Sequence, residues 1–285
     1  MKTRVVFNTL INTRINELTQ TEIRIYQFIK NNRMQFINMS IAKLADAMNV
    51  GEASIIRFCK KLGYKGFSEL KTTLRLETDT DDTLLSKVIS LDEQTNSMTG
   101  IAQQLANDNY VVINETLALQ EEQTLMRAAD GLSKAGQVYF YGIGMSAISV
   151  LYAKYRFMRI MANVDALIDN HTMTLNSNNV GKKDVVVAIS HSGETRDVVD
   201  ALRRVKEKGA MTIVISKLKH SSLSQYADVV LLTGGTSNPY QSDSSTITAA
   251  QSFMVDVLFN ALLFINRGDN VEKIISSLDI INRTK

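Results

Sequence analysis

Cysteine is nearly absent: Cys59 is the only one in 285 residues. A disulfide framework is therefore excluded. A thiolate metal site is excluded as well, and His171, His191 and His220 show no ligand spacing, so neither metal nor cofactor is expected. The stretch from Met1 to Asn8 has no signal-peptide apolar core. No uninterrupted apolar run reaches the roughly 20 residues that a membrane span requires. The expected setting is the cytoplasm, with no membrane partner. There is no internal repeat, and no long polar tract of the kind that keeps a chain unfolded.

What is present suits a soluble globular chain. Hydrophobic residues make up 45% of the sequence, enough for sizeable cores, and the length suggests about two domains. Charge is unevenly distributed. Residues 1–75 hold 13 Lys/Arg against 5 Asp/Glu, while the remainder holds 19 against 24. A basic first quarter on a mildly acidic remainder points to a polyanionic partner for the N-terminal part.

Residues 19–76 read as several short helices. Thr19 and Glu22 have capping-box spacing, and Ile23, Tyr26, Phe28 and Ile29 follow at roughly helical intervals, predicting a helix over 20–31. Ser40 is the next candidate N-cap, with Ile41, Leu44, Ala45 and Met48 on one face. Gly51 marks a tight turn. A further helix over about 52–62 turns Ile55, Phe58, Cys59 and Leu62 inward, and another begins near Gly66. The stretch Glu77-Thr78-Asp79-Thr80-Asp81-Asp82-Thr83 is acidic and polar, as linkers are. Helical patterns resume at about 98–119 and 122–134.

From Gln137 the pattern becomes short β-rich runs separated by helices. Residues 138–141, 184–190, 211–216 and 228–232 are nearly all apolar and rich in β-branched side chains, as parallel strands buried on both faces are. Helices are predicted over 145–162 and 195–208, and a long apolar one over about 245–264. The expected fold class is an all-α helix-turn-helix N-terminal domain followed by an α/β domain with a doubly wound parallel sheet. The expected division is 1–76 for the first domain, 77–107 for a linker and the start of a connecting helix, and 108–285 for the second.

A helix, a turn at Gly51 and a second helix is the arrangement with which helix-turn-helix proteins enter the major groove. On the second helix Ser54 and Arg57 lie three residues apart on one face, placed to reach bases. Lys60, Lys61 and Lys65 suit phosphates as flexible point charges. The runs Ser40-Ile41-Ala42-Lys43-Leu44-Ala45 and Arg57-Phe58-Cys59-Lys60-Lys61-Leu62-Gly63, then Lys65-Gly66-Phe67, resemble the N-terminal domain of the RpiR family of regulators. Gly51 departs from the serine usual at the head of the recognition helix in that family.

Two loops carry the chemistry of the second half. Gly142-Ile143-Gly144-Met145-Ser146 follows a strand and opens a helix, where backbone N–H groups and the dipole favour an anion. It is not the dinucleotide fingerprint, since Ala147 stands where a third glycine would be. Ser190-His191-Ser192-Gly193-Glu194-Thr195 likewise lies between a strand and a helix, and its hydroxyls and glycine form a phosphate cradle. Both loops fall at carboxyl ends of strands, the edge at which open α/β sheets bind ligands. Together they resemble the sugar isomerase, or SIS, domain over about residues 123–266. The resemblance implies that Ser146, Ser190, Ser192 and Thr195 hold a phosphate, with Gly144 and Gly193 lining the approach. Asp169 and His171 resemble the Asp-x-His of RpiR-type sensors, placing His171 near the sugar, and Glu194 is also assigned to contact it.

The joint expectation is a DNA-binding regulator of carbohydrate-metabolism genes. Its partners are operator DNA and a sugar phosphate effector, and the resemblance implies a homodimer or homotetramer. No catalytic residue is expected. The alternative, an aldose–ketose isomerase with an accessory helical domain, needs a general base, for which Glu194, His191 and His171 are the nearby candidates.

Overall fold

The structure, a computed structural model, describes residues 7–75, 97–235 and 245–283. The acidic stretch Glu77–Thr83 lies outside the described residues, as do the first six residues and the segment 242–244. The chain forms two compact units, within Val5–Asn107 and within Asp108–Lys285.

Among the described residues, the regular structure of the first unit is entirely helical. It comprises α1 (Phe7–Arg14), α2 (Gln20–Asn31), α3 (Arg33–Asn38), α4 (Ile41–Met48), α5 (Glu52–Lys61) and α6 (67–75). The expected capping box opens α2. Thr19 Oγ1 accepts from the Glu22 N–H at 3.3 Å, and Glu22 Oε2 accepts from the Thr19 N–H at 2.7 Å. The core gathers Phe7, Ile25, Ile29, Phe36, Leu44, Ile55 and Phe58, all essentially inaccessible to water. Two helices were not anticipated. α3 is too short to show a period, and α1 offers only Phe7, Leu10 and Ile11 as apolar positions. α7 (Met98–Ala118) runs across the boundary between the units.

The second unit continues with α8 (Glu122–Ser133), β1 (Val138–Tyr141), α9 (Met145–Phe157), β2 (Val164–Leu167), α10 (Asn170–Asn179) and β3 (Val185–Ile189). It ends with α11 (Arg196–Glu207), β4 (Met211–Ser216), β5 (Val229–Leu232), α12 (Ser245–Ile265) and α13 (Arg267–Arg283). The five strands among the described residues are all parallel, in the order β2-β1-β3-β4-β5. Alternation along the strands feeds two cores. Phe140, Val187, Ile189, Ile213 and Ile215 pack with α8, α9 and α12 on one face, and Tyr141, Val186, Ala188 and Val214 pack with α10 and α11 on the other. The α/β class is thus the doubly wound one that the alternation predicts.

Several elements differ from expectation. α9 stops at Phe157 rather than near 162, because turns at 158–160 lead directly into β2. β2 is an edge strand, half-buried throughout and interrupted by Asp165, so it lacks the continuous apolar run of an inner strand. α10 is built from poor helix formers, including four asparagines, and starts because the Asp169 carboxylate accepts from the Thr172 N–H at 2.9 Å. α12 is long and apolar enough to cross a membrane by length and composition, with mean hydropathy 1.6 over 18 residues. Its apolar face, including Met254, Val255, Leu258 and Leu262, forms part of the core against α8 and α9.

The centre of that core is an aromatic stack. The Phe157 ring meets Phe140 at 5.2 Å and Phe259 at 5.7 Å, both edge-on. Phe157→Ala is expected to lower stability by about 3–5 kcal/mol, through lost burial and the cavity left between sheet and α12. Urea denaturation of the purified variant measures this directly.

Candidate functional site

The turn between α4 and α5 is set by local chemistry. Ser40 caps α4, its side chain accepting from the Lys43 N–H at 3.4 Å. α4 ends at Asn49, which adopts left-handed φ of 51° and donates its N–H to the Ala45 and Asp46 carbonyls. Gly51 then heads α5 without a side-chain cap. Ile55, Phe58 and Cys59 face inward as the pattern predicts. Burial pushes the Cys59 thiol up to about 12.

The outward face of α5 presents Arg57 and Lys60, and Lys65 lies just beyond, all exposed. Arg57 donates to Ser54 Oγ at 3.2 Å, so the two expected base readers form one polar unit. Lys61 does not join them. Its ammonium turns back to Glu22 Oε2 at 2.9 Å and to the Glu17 carbonyl, and the Lys61 carbonyl accepts from Arg14. Burial works against charge on Glu22, yet the Lys61 ammonium and the Thr19 donors hold its carboxyl below the usual range. Lys61 therefore ties α5 to the start of α2.

In the second unit, β1 connects to β2 on one side of the sheet while β3 connects to β4 on the other. The carboxyl ends of β1 and β3 thus flank the crevice at which the strand order reverses. The first loop packs closely on the end of β3: a Cβ at Gly142 would lie 2.9 Å from the Ile189 carbonyl oxygen and 3.4 Å from Ser146 Cβ of its own loop. Gly144 caps α9, with φ of 64° and no side chain to satisfy the first N–H groups of the helix. Ser146, in the first turn, is buried.

The second loop closes on its own hydroxyls. Ser190 Oγ accepts from the Gly193 N–H at 3.2 Å and lies 3.2 Å from Thr195 Oγ1, while Ser192 Oγ accepts from the Glu194 N–H at 3.2 Å. Gly193 is required, since φ is 68° and a Cβ would sit 2.3 Å from Ser221 Oγ. Glu194 is drawn to the loop after β4, where it accepts from the Ser222 N–H at 3.0 Å and from the Ser222 hydroxyl at 2.5 Å. Ser190 and Thr195 are thus in contact, Ser192 lies in the same loop, Ser146 opens α9 at the end of the neighbouring strand β1, and Glu194 ties the second loop to the one after β4. His171 lies apart from these contacts, exposed on the first turn of α10, and the Asp169 of the same motif serves as the helix cap.

His191 is largely buried, and its Nδ1 has no hydrogen-bond partner among the described residues. Burial and the neighbouring Lys217 ammonium push its imidazole down to about 4, so it is neutral near pH 7. Burial lowers the Lys217 value too, while Glu115 of α7 opposes that shift. Sequence reasoning missed Lys217, Ser222 and Glu115 because none lies in a motif. It also missed Gln251 of α12, whose buried amide reaches Ser146 and Ser149.

Comparison with known proteins agrees with both halves. The family model for the rpiR helix-turn-helix domain matches residues 6–81, and the SIS domain model matches residues 131–261. An HTH-type transcriptional regulator of Caldanaerobacter subterraneus subsp. tengcongensis is 30% identical over 270 residues, 95% of each chain. The chain belongs to the RpiR family of transcriptional regulators. Among solved structures, the Vibrio vulnificus NanR protein complexed with ManNAc-6P matches with a TM-score of 0.63 and 21% identity, covering 98% of this chain and all of that one. The sugar isomerase domain of the RpiR transcription factor from Sphaerobacter thermophilus matches with a TM-score of 0.57 and 20% identity, covering 64% of this chain and 98% of that one. The rpiR model includes α1, which the hydropathy pattern did not reveal, and the SIS model spans both crevice loops and Gln251.

The neutral His191 of this RpiR-family chain carries a pH signature. Unfolded histidine takes a proton near its ordinary value of 6.5, whereas the folded one does so only near 4. The His191 contribution to stability is full above about 6.5, declines as pH falls toward about 4 and levels off below. Denaturation midpoints of wild type and His191→Gln across this window are expected to differ in slope, with the variant declining less.

Proposed function

We propose that this RpiR-family regulator binds operator DNA through α4 and α5 and takes a phosphorylated sugar as effector in the crevice between β1 and β3. The observation that carries this reading is the convergence of two loops rich in hydroxyls and helix N-termini at the switch point of the sheet. ManNAc-6P bound to the similarly folded NanR protein supports a sugar phosphate as the ligand class. On this reading Ser146, Ser190, Ser192 and Thr195 donate to phosphate, with Gly144 and Gly193 allowing close approach. Sugar recognition falls to neighbouring side chains.

Turnover of the sugar is not part of the proposal. Glu194 already accepts two hydrogen bonds from Ser222, His171 is exposed on α10, and the imidazole of His191 is a weak base at about 4. A homo-oligomer is favoured by α9 and its C-cap, where Ile148, Leu151 and Tyr155 on the helix and Met158 just beyond it lie exposed at three- and four-residue steps, an apolar stripe suited to a second copy.

A thermal-shift screen of sugar phosphates against free sugars and inorganic phosphate tests the sensor. A true effector at 100 times its dissociation constant adds about 2.7 kcal/mol of stability. Ser192→Ala is expected to abolish most of that shift, and no shift across a broad panel would overturn the effector assignment.

The DNA-binding half is tested by fluorescence anisotropy with operator DNA. Arg57→Ala is expected to weaken binding by about 1–3 kcal/mol and to relax sequence preference, whereas Lys60→Ala weakens binding to all sequences alike. Unchanged affinity in Arg57→Ala would overturn the assignment of α5 as the reading helix.

A further inference from the structure

A buried polar chain links the first crevice loop to α12. Ser149 Oγ donates to Gln251 Oε1 at 3.0 Å, and Gln251 Nε2 donates to Ser146 Oγ at 3.0 Å. Gln251 is 1% exposed and Ser149 fully buried. Chemistry assigns a direction to this chain. An amide oxygen only accepts and an amide nitrogen only donates, while each hydroxyl has a single proton. Ser149 spends its proton on Oε1, which orients the amide so that Nε2 points at Ser146. One lone pair of Ser146 Oγ is thereby occupied, and its own proton remains to be donated. Each bond in the series also polarises the next.

We propose that Gln251 is a positioning residue that holds the Ser146 hydroxyl as a hydrogen-bond donor for the ligand, making this end of the crevice selective for acceptor oxygens of a phosphate dianion. This rests on the assignment of Ser146 to the phosphate under Proposed function. An incoming group with no acceptor oxygen to offer, such as an ammonium, leaves the buried Ser146 proton unsatisfied and is disfavoured. Specificity for the phosphorylated form of a sugar is then set partly by a side chain about 100 residues from the loop it serves. An apolar residue at position 251 would deprive the buried Ser149 hydroxyl of this partner and leave the Ser146 proton without a fixed direction.

The test is isothermal titration calorimetry of the full chain with ManNAc-6P and a panel of other hexose phosphates, at about pH 8 and about pH 5.5, either side of the second phosphate pKa near 6. In Gln251→Glu the carboxylate accepts from both serines at the higher pH, taking the Ser146 proton and placing a negative charge beside the phosphate. Affinity is expected to fall about 100-fold or more relative to wild type. At the lower pH the buried carboxyl, its pKa raised by desolvation, carries a proton and donates again, so the deficit shrinks to about tenfold or less. Gln251→Leu is expected to lose about tenfold at both pH values, since it removes the bond and adds no charge. A loss that shrinks with acid in the glutamate variant alone marks a donor role, because a merely structural defect does not depend on protonation at position 251.

Should Gln251→Glu fail to fold, Ser149→Ala carries the test. It frees the amide to rotate and is expected to weaken binding several-fold with the circular dichroism spectrum unchanged. Wild-type affinity in both Gln251→Leu and Ser149→Ala, or a Gln251→Glu deficit equal at both pH values, overturns the inference while leaving the effector assignment intact. Absence of wild-type binding across the panel overturns both.

Discussion

The candidate site depends on one topological constraint: β1 and β3 are parallel neighbours whose chains depart to opposite sides of the sheet. Parallel pairing puts both carboxyl ends at the same edge, and right-handed crossovers then carry α9 and α11 to opposite faces. A crevice opens where the two helices part, and each presents its N-terminus there. The small residues of the loops follow from this. Gly142 must let the β1 loop pass close to the last carbonyl of β3, and Gly193 must let the β3 loop settle on Ser221. The binding chemistry proposed for this crevice is thus a property of the edge itself, supplied by backbone and short hydroxyls, with long side chains acting as braces.

The first unit obeys a different economy. Its described residues form no sheet to impose order, so short helices are held by their ends and by aromatic contacts such as that of Phe7 with Phe58. Glu22 serves twice, closing the capping box of α2 and accepting the Lys61 ammonium from the end of α5. A single carboxylate therefore relates the helix expected to read DNA to the helix that supports it. The cation it engages is withdrawn from the exposed face, leaving Arg57, Lys60 and Lys65 there.

Legibility in the sequence followed physical strength. The inner strands were readable because burial on both faces demands unbroken apolar runs, and α2 was readable to the residue because its cap is local chemistry. The two crevice loops were readable because strand, glycine and hydroxyl coincide. β2 and α10 were not: an edge strand needs little apolar surface, and a helix started by one aspartate needs little propensity. Side-chain direction was the larger gap. Lys61 and Glu194 carry the right charge at the right positions, yet each finds a partner inside the protein that only the fold brings near. Gln251 lay hidden in an apolar helix, because an amide in such a run reads as noise until its neighbours across the fold are known.

The burial of Cys59 has a practical side. Its thiol lies in the core of the helical unit, fully inaccessible and held protonated to about pH 12. Oxidants and alkylating reagents need an exposed thiolate, and the folded chain offers them none. The sole native cysteine is therefore silent, and the surface is a blank background for chemical labelling. A cysteine introduced at any exposed position would be the single reactive handle on the molecule, so a fluorophore or spin probe can be placed on one unit at a time without first removing a native residue.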